Sequence, residues 1–240
     1  MKQLEIKNLV KIYDNKKVVD DVNLIVKQGQ VTGLLGPNGA GKTTTFYMAV
    51  GLIKPDAGTV YLEKEDITQY PMYIRARKGI GYLPQESSIF KKLTVKENIT
   101  AILEVLPKNG FNIEQKAVGL MEELGISRLA NQKASSLSGG ERRRLEISRV
   151  LAIDPLFILL DEPFAGIDPL AVIDIQKIIY QLTKKSIGVL ISDHNVRETL
   201  GVCDNAYIMS QGKVIESGNP DKIISSKIAR KIYLGENFKL

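Results

Sequence analysis

Gly36-Pro37-Asn38-Gly39-Ala40-Gly41-Lys42-Thr43 stands between an apolar run, Gln30 to Leu35, and a helical pattern from Gly41 to Gly51. A buried strand that turns sharply into a helix leaves the first helical amides unpaired, and the intervening loop can wrap its own N–H groups around phosphate oxygens. Glycines permit that wrap because they reach backbone angles closed to other residues. Lys42 is then placed to reach the terminal phosphates as a point charge, with the Thr43 hydroxyl ligating a Mg²⁺ held between them. The eight residues therefore read as a nucleotide phosphate cradle, and the strand-then-helix context separates a working cradle from a chance turn.

Farther along, Phe157-Ile158-Leu159-Leu160 is an apolar strand ending in Asp161-Glu162. This puts two carboxylates at the carboxyl edge of a parallel sheet, where ligands bind. Phosphoryl transfer requires positioning and charge neutralisation, so one carboxylate can hold Mg²⁺ through water while its neighbour polarises the attacking water. Asp161 takes the metal role and Glu162 the base. An isolated Asp-Glu after a strand is usually a solvated turn; the cradle reverses that weighting. His194, the single histidine, follows the run Gly188 to Ser192, where it can touch a γ-phosphate, although a lone histidine is more often incidental. Gln85, after Ile80 to Leu83, carries an uncharged side chain suited to sensing Mg²⁺ or the water, and by spacing alone is equally a loop residue.

A second anion grip begins at Leu137-Ser138-Gly139-Gly140-Glu141, where a serine cap and exposed amides open a helix. One nucleotide can be held at both ends by two such grips in one chain, or by two copies facing head to tail; spacing does not decide. The following Arg142 to Arg144 point about 100° apart on a helix and cannot form one stripe, so they are expected to back onto Glu141 and Glu146 rather than bind nucleic acid.

The remaining chain frames these motifs. Leu4 to Tyr13 and Val18 to Val26 alternate as strands, and Thr59 to Leu62 adds another. Thr94 to about Leu151 reads as mostly helical, opened by a capping box of Thr94 and Glu97. Strand and helix alternation resumes with Leu156 to Leu160, a helix over 169–184, Gly188 to Ser192 and a helix near 195–201. Ala206 to Ser210 and Lys213 to Glu216 flank a Gln211-Gly212 hairpin, and short helices fill Pro220 to Leu234. The composition, 44% hydrophobic and 25% charged over 240 residues, is that of a globular chain. No apolar run reaches the roughly 18 residues of a membrane span. The single cysteine, Cys203, allows neither an internal disulfide nor a thiolate-rich metal site, which fits a reducing cytoplasm. The net charge of +6 is read as dispersed surface lysine.

Taken together, GPNGAGKT, LSGGE, ILLDEP and the strand-end His194 resemble the ATP-binding cassette superfamily across essentially the whole chain. The resemblance implies an α/β P-loop NTPase: a RecA-like parallel-sheet core, an N-terminal antiparallel β subdomain and an inserted helical subdomain. It implies a division into 1–86 with 157–219 as nucleotide-binding core, 87–156 as helical subdomain and 220–240 as a C-terminal tail. It further implies hydrolysis of ATP with Mg²⁺ by a homodimer that sandwiches two nucleotides, each between Gly36 to Thr44 of one copy and Ser138 to Gly140 of the other. Tyr13 would stack on adenine, Gln85 would be the Q-loop residue, Ala165 to Asp168 would line the dimer seam, and His194 would be the switch. The catalytic set is then Glu162, His194 and Gln85, and the metal set Thr43, Gln85 and Asp161.

The interval from Lys42 to Leu137 leaves no room for a coiled-coil arm, and there is no second P-loop, so chromosome-organising, repair and twin-cassette ATPases are disfavoured. A transporter motor remains, docking two integral membrane permease subunits near Gln85 to Leu93, with Phe90 as apolar anchor and Lys91 and Lys92 beside it. YLPQESSIF, GGERRR and the ending YLGENFKL most resemble ATPase subunits of lipopolysaccharide exporters, with branched-chain amino-acid importers and soluble non-transport cassettes as alternatives. The implied location is cytoplasmic, peripheral on the inner membrane, with lipopolysaccharide handled by the partners.

Overall fold

The structure is a computed structural model that describes residues 2–106, 110 and 112–238. Residues 107–109 and 111 of the expected helical subdomain, and 239–240 of the expected tail, lie outside the described residues.

Two sheets organise the chain. The first pairs β1 (Gln3–Tyr13), β2 (Lys16–Lys27), β4 (Ala57–Leu62) and β5 (Glu65–Asp66) antiparallel in the order β2-β1-β4-β5. Its hairpin turns at Asp14-Asn15, both with positive φ (48° and 61°), the twist that a two-residue hairpin needs. The second sheet runs β10-β9-β3-β8-β7-β6. In it β3 (Val31–Leu35), β6 (Ile80–Leu83), β7 (Phe157–Asp161), β8 (Gly188–Ser192) and β9 (Asn205–Ser210) are parallel, and β10 (Lys213–Gly218) closes one edge antiparallel through Gln211-Gly212. The central β3, β7 and β8 are wholly buried, which is why they read as continuous apolar runs rather than alternation.

Helix α1 (Lys42–Val50) lies between the sheets. Phe46, Met48 and Val50 pack with Leu4, Val22 and Val60 of the first sheet and with Phe157, Leu159 and Leu190 of the second. The opposite face of the second sheet, carrying Ile158, Leu160 and Ile191, is covered by α5 (Gly139–Leu151) and α6 (Pro169–Lys184), with α3 (Val95–Glu104) and α4 (Ile113–Glu123) packed on α5. Each such side chain taken fully from water contributes about 1.5–3 kcal/mol, so the alternation along β7 welds it to α1 on one side and to the helical layer on the other. The Thr94–Glu97 capping box is present, and α6 and β8 have the expected bounds. Short helices α7 (Val196–Leu200), α8 (Pro220–Ser225) and α9 (Lys227–Ala229) and a π-helical turn over Arg230–Leu234 finish the chain. Among the described residues no helix is long and apolar enough to cross a membrane.

Besides the two-residue β5, one element has no counterpart in the sequence reading: α2 (Met72–Arg77). At six residues it is too short for a periodic signal, and is held instead by Arg75, 1% exposed. The Arg75 guanidinium donates to the carbonyls of Met48, Ala49, Thr68 and Tyr70 at 2.7–2.8 Å, closing the carboxyl end of α1 where cations are favoured.

Candidate functional site

Parallel register gathers the sequence motifs at one sheet edge. Leu34 pairs with Ser192, and Ser192 with Asp161, so the loops leaving β3, β8 and β7 emerge side by side, followed by the loop leaving β6. In space the order is cradle, His194 loop, Asp161-Glu162, Gln85, which is not their order along the chain.

The cradle follows from its glycines. Gly36 and Gly41 have φ of 149° and 99°, and a Cβ on either would stand 2.1 Å from the Met209 carbonyl oxygen or 2.4 Å from that of Val18. Neither position tolerates another residue, because backbone rather than a flexible side chain stands in the way. No side chain caps α1, and its first turn holds no acidic residue, so its amino-terminal amides face an anion site unopposed. Lys42, 9% exposed, folds back to donate from Nζ to the carbonyls of Gly36 (2.7 Å) and Pro37 (3.0 Å). Burial holds its ammonium below the usual lysine range, while Glu162, Asp161 and Asp193 pull it back up. Thr43 is exposed at the start of α1.

Asp161 is 2% exposed, and burial, reinforced by the neighbouring Glu162 charge, pushes its carboxyl up to about 6. Its Oδ2 accepts from the Tyr82 hydroxyl at 3.5 Å. Glu162 occupies the left-handed region (φ 47°), so the chain turns between the two carboxylates. Glu162 Oε2 accepts from Gln85 Nε2 at 2.8 Å and lies 3.4 Å from His194 Nδ1; His194 Nδ1 is also 3.6 Å from the buried Asp193. The arrangement brings one ammonium, three acidic side chains, an amide and an imidazole to one edge, which suits positioning a water against a phosphate. The Thr43 hydroxyl, Asp161 carboxylate and Gln85 amide make an oxygen donor set, the chemistry Mg²⁺ takes, and the uncapped α1 suits the phosphates. The residues present thus fit a Mg²⁺–nucleotide.

Ser138 opens α5 as the serine cap anticipated from the sequence, but its end is not bare. The Ser138 amide and hydroxyl both donate to Glu141 Oε2 (3.0 and 2.9 Å), and Ser138 Oγ accepts from the Glu141 amide, a closed capping box. Gly139 borders a pocket with Gln85, Ser87, Arg143 and Gly166, whereas the pocket at Asn38 and Gly39 is lined by Lys16, Val18, Gln211 and Ile232; the two share no residue. Tyr13, 43% exposed at the end of β1, has the Lys11 ammonium 5.4 Å from its ring. Phe90 is 46% exposed with the Arg149 guanidinium 4.6 Å from its ring.

The arginine triplet differs from expectation. Arg143 does pair with Glu146 (3.0 Å), but Arg144 pairs with Asp174 of α6, Arg142 donates to the Leu137 carbonyl, and Glu141 is occupied by Ser138 and Arg128. The Arg143 side chain also donates to the carbonyls of Pro84, Asp161 and Glu162, each at 3.2 Å, and Glu146 accepts from Ser87 Oγ at 2.6 Å. A buried ion pair on α5 therefore ties together the loops carrying Gln85 and Glu162. The only sequence signal was a basic and an acidic residue three apart on a helix, which is too common to point to a site.

Residues 19–165 match the family model for ABC transporters. The chain is 54% identical, over the full length of both, to the lipopolysaccharide export system ATP-binding protein LptB of Escherichia coli (strain K12). It is 52% identical to the protein of the same name from Acidithiobacillus ferridurans, covering 99% of this chain and 98% of that one. Among solved structures, an ATP-binding cassette of an ABC transporter in its ADP conformation superimposes with a TM-score of 0.89 at 33% identity, over 98% of this chain and 100% of the other.

Proposed function

Since this chain belongs to the ABC transporter family of ATPases, we propose that it is the ATP-hydrolysing motor of a lipopolysaccharide exporter, driving extraction from the inner membrane toward the outer membrane. Hydrolysis is the family's chemistry, and the observation that carries it onto these residues is the meeting of Lys42, Asp161, Glu162, Gln85 and His194 at one sheet edge. The cargo rests on full-length likeness to relatives that bear that function in their names, a likeness that favours export over amino-acid import.

In this reading Gly36 to Thr44 wrap the phosphates through their amides, and Lys42 leaves the Gly36 and Pro37 carbonyls to neutralise them. Tyr13 stacks on adenine. Thr43, Asp161 and Gln85 would hold Mg²⁺, which would supply charge neutralisation at the phosphates. Glu162 orients and deprotonates the attacking water, with Gln85 and His194 fixing its carboxylate. A second copy presents Ser138, Gly139 and Gly140, whose amides complete the grip once Glu141 yields the Ser138 hydroxyl. Residues 1–86 with 157–219 form the nucleotide-binding core, 87–156 the helical subdomain and 220–240 the tail. Two permease subunits dock near Gln85 to Leu93, holding the protein to the cytoplasmic face of the inner membrane.

The test is isolation of the chain from its native membrane in mild detergent. Co-purification of two different integral membrane subunits, and failure of lipopolysaccharide to reach the outer membrane when the chain is depleted, are expected. Recovery of no membrane subunit, or of amino-acid permeases, overturns the reading. Shared sites are tested by mixing chains defective at Lys42 with chains defective at Ser138: mixed dimers hold one intact site and regain activity, and no recovery at any ratio contradicts sharing.

A further inference from the structure

Tyr82 occupies the sheet position that faces Asp161. Tyr82 of β6 pairs with Leu159 of β7, and Asp161 lies two residues beyond Leu159, so all three side chains project from the same face, a diagonal neighbour relation within reach of a long aromatic side chain. That face is the one covered by α1: Tyr82 and Tyr47 of α1 both pack on the cluster holding Phe46 and Leu159. The Tyr82 phenol donates to Asp161 Oδ2 at 3.5 Å. The contact joins the strand that leads to Gln85 to the carboxylate at the end of β7.

We propose that Tyr82 is a positioning residue for metal binding: by donating to Asp161 Oδ2, it fixes the carboxylate rotamer with Oδ1 left for Mg²⁺. This rests on the reading of Asp161 as the metal-side carboxylate. A half-buried phenol suits the task, since as an uncharged donor it stabilises the ionised carboxylate without competing with the cation for position.

The experiment titrates Mg²⁺ by calorimetry into the whole chain saturated with a non-hydrolysable ATP analogue, so no turnover is read. Tyr82→Phe keeps the ring and its packing and removes only the hydroxyl; thermal melting within a few degrees of the parent confirms the fold. The Mg²⁺ concentration at half-saturation is expected to rise about three- to tenfold, the scale of one lost hydrogen bond of ordinary strength. Asp161→Asn, run in parallel, separates the two claims. If Asp161→Asn weakens Mg²⁺ binding and Tyr82→Phe leaves it at the parent value, the tyrosine assignment is overturned. If Asp161→Asn itself changes nothing, the metal reading of Asp161 fails first.

Discussion

Gln85 Nε2 donates to Glu162 Oε2 at 2.8 Å, joining two residues that lie 77 positions apart in the chain. β6 and β7 are adjacent parallel strands, so the loops that leave them meet, and the amide of one becomes the restraint on the carboxylate of the other. Gln85→Glu would replace a donor by a second carboxylate at that distance. Glu162 then loses its restraint, and kcat is expected to fall roughly tenfold or more, the scale of one lost hydrogen bond to a charged group. Steady-state ATPase rates measure this, and an unchanged kcat would show that the contact does not hold Glu162 for catalysis.

Glu162→Gln keeps shape and hydrogen bonding but cannot take a proton. ATP binding is expected to persist and closed dimers to accumulate on gel filtration, with turnover reduced roughly 10²–10⁴-fold, the usual contribution of a positioned base. Turnover at the parent rate excludes Glu162 as the base.

Asp161 has a folded-state carboxyl near 6 against an ordinary value of 3.8. Because the folded value is the higher one, the folded state holds the proton over that interval, and stability falls as pH rises from about 4 to 6. The penalty is fully present above it and vanishes below about 4. Asp161→Asn should therefore stabilise the nucleotide-free protein at neutral pH by roughly 1–3 kcal/mol, since each tenfold change in proton affinity is worth about 1.4 kcal/mol. The gain should disappear near pH 4. Denaturant unfolding at the two pH values decides it; equal stability of parent and variant at neutral pH removes the idea of a strained carboxylate.

Arg143 and Glu146, with side chains 7% and 4% exposed, form a buried pair. Arg143→Met leaves Glu146 charged without its partner and is expected to cost about 3–5 kcal/mol, whereas Arg143→Met with Glu146→Met recovers most of it. ATPase activity should stay low in the double variant, because the donations to the Pro84, Asp161 and Glu162 carbonyls are gone in both. Recovery of activity along with stability would reduce Arg143 to a packing role.

The fold was readable to the extent that its signals were local. The buried runs of β3, β7 and β8, the Thr94–Glu97 box and the Gln211-Gly212 turn each write their geometry into a few consecutive residues, and the structure has each of them. Helix α2 went unread because six residues are too few to show a period, and its anchor, Arg75, is set by carbonyls 5 to 27 residues away.

For the site, sequence alone determined the phosphate cradle and the Asp161-Glu162 strand end, since a glycine loop before a helix and acids after an apolar strand follow from backbone requirements at those positions. Only the tertiary structure decided that Gln85 holds Glu162, that Tyr82 reaches Asp161, that Arg143 turns inward to three carbonyls, and that Glu141 already fills the Ser138 cap. Those contacts depend on which parallel strands are neighbours and in what register, and strand order within a parallel sheet is set by long-range packing that no short stretch of residues encodes.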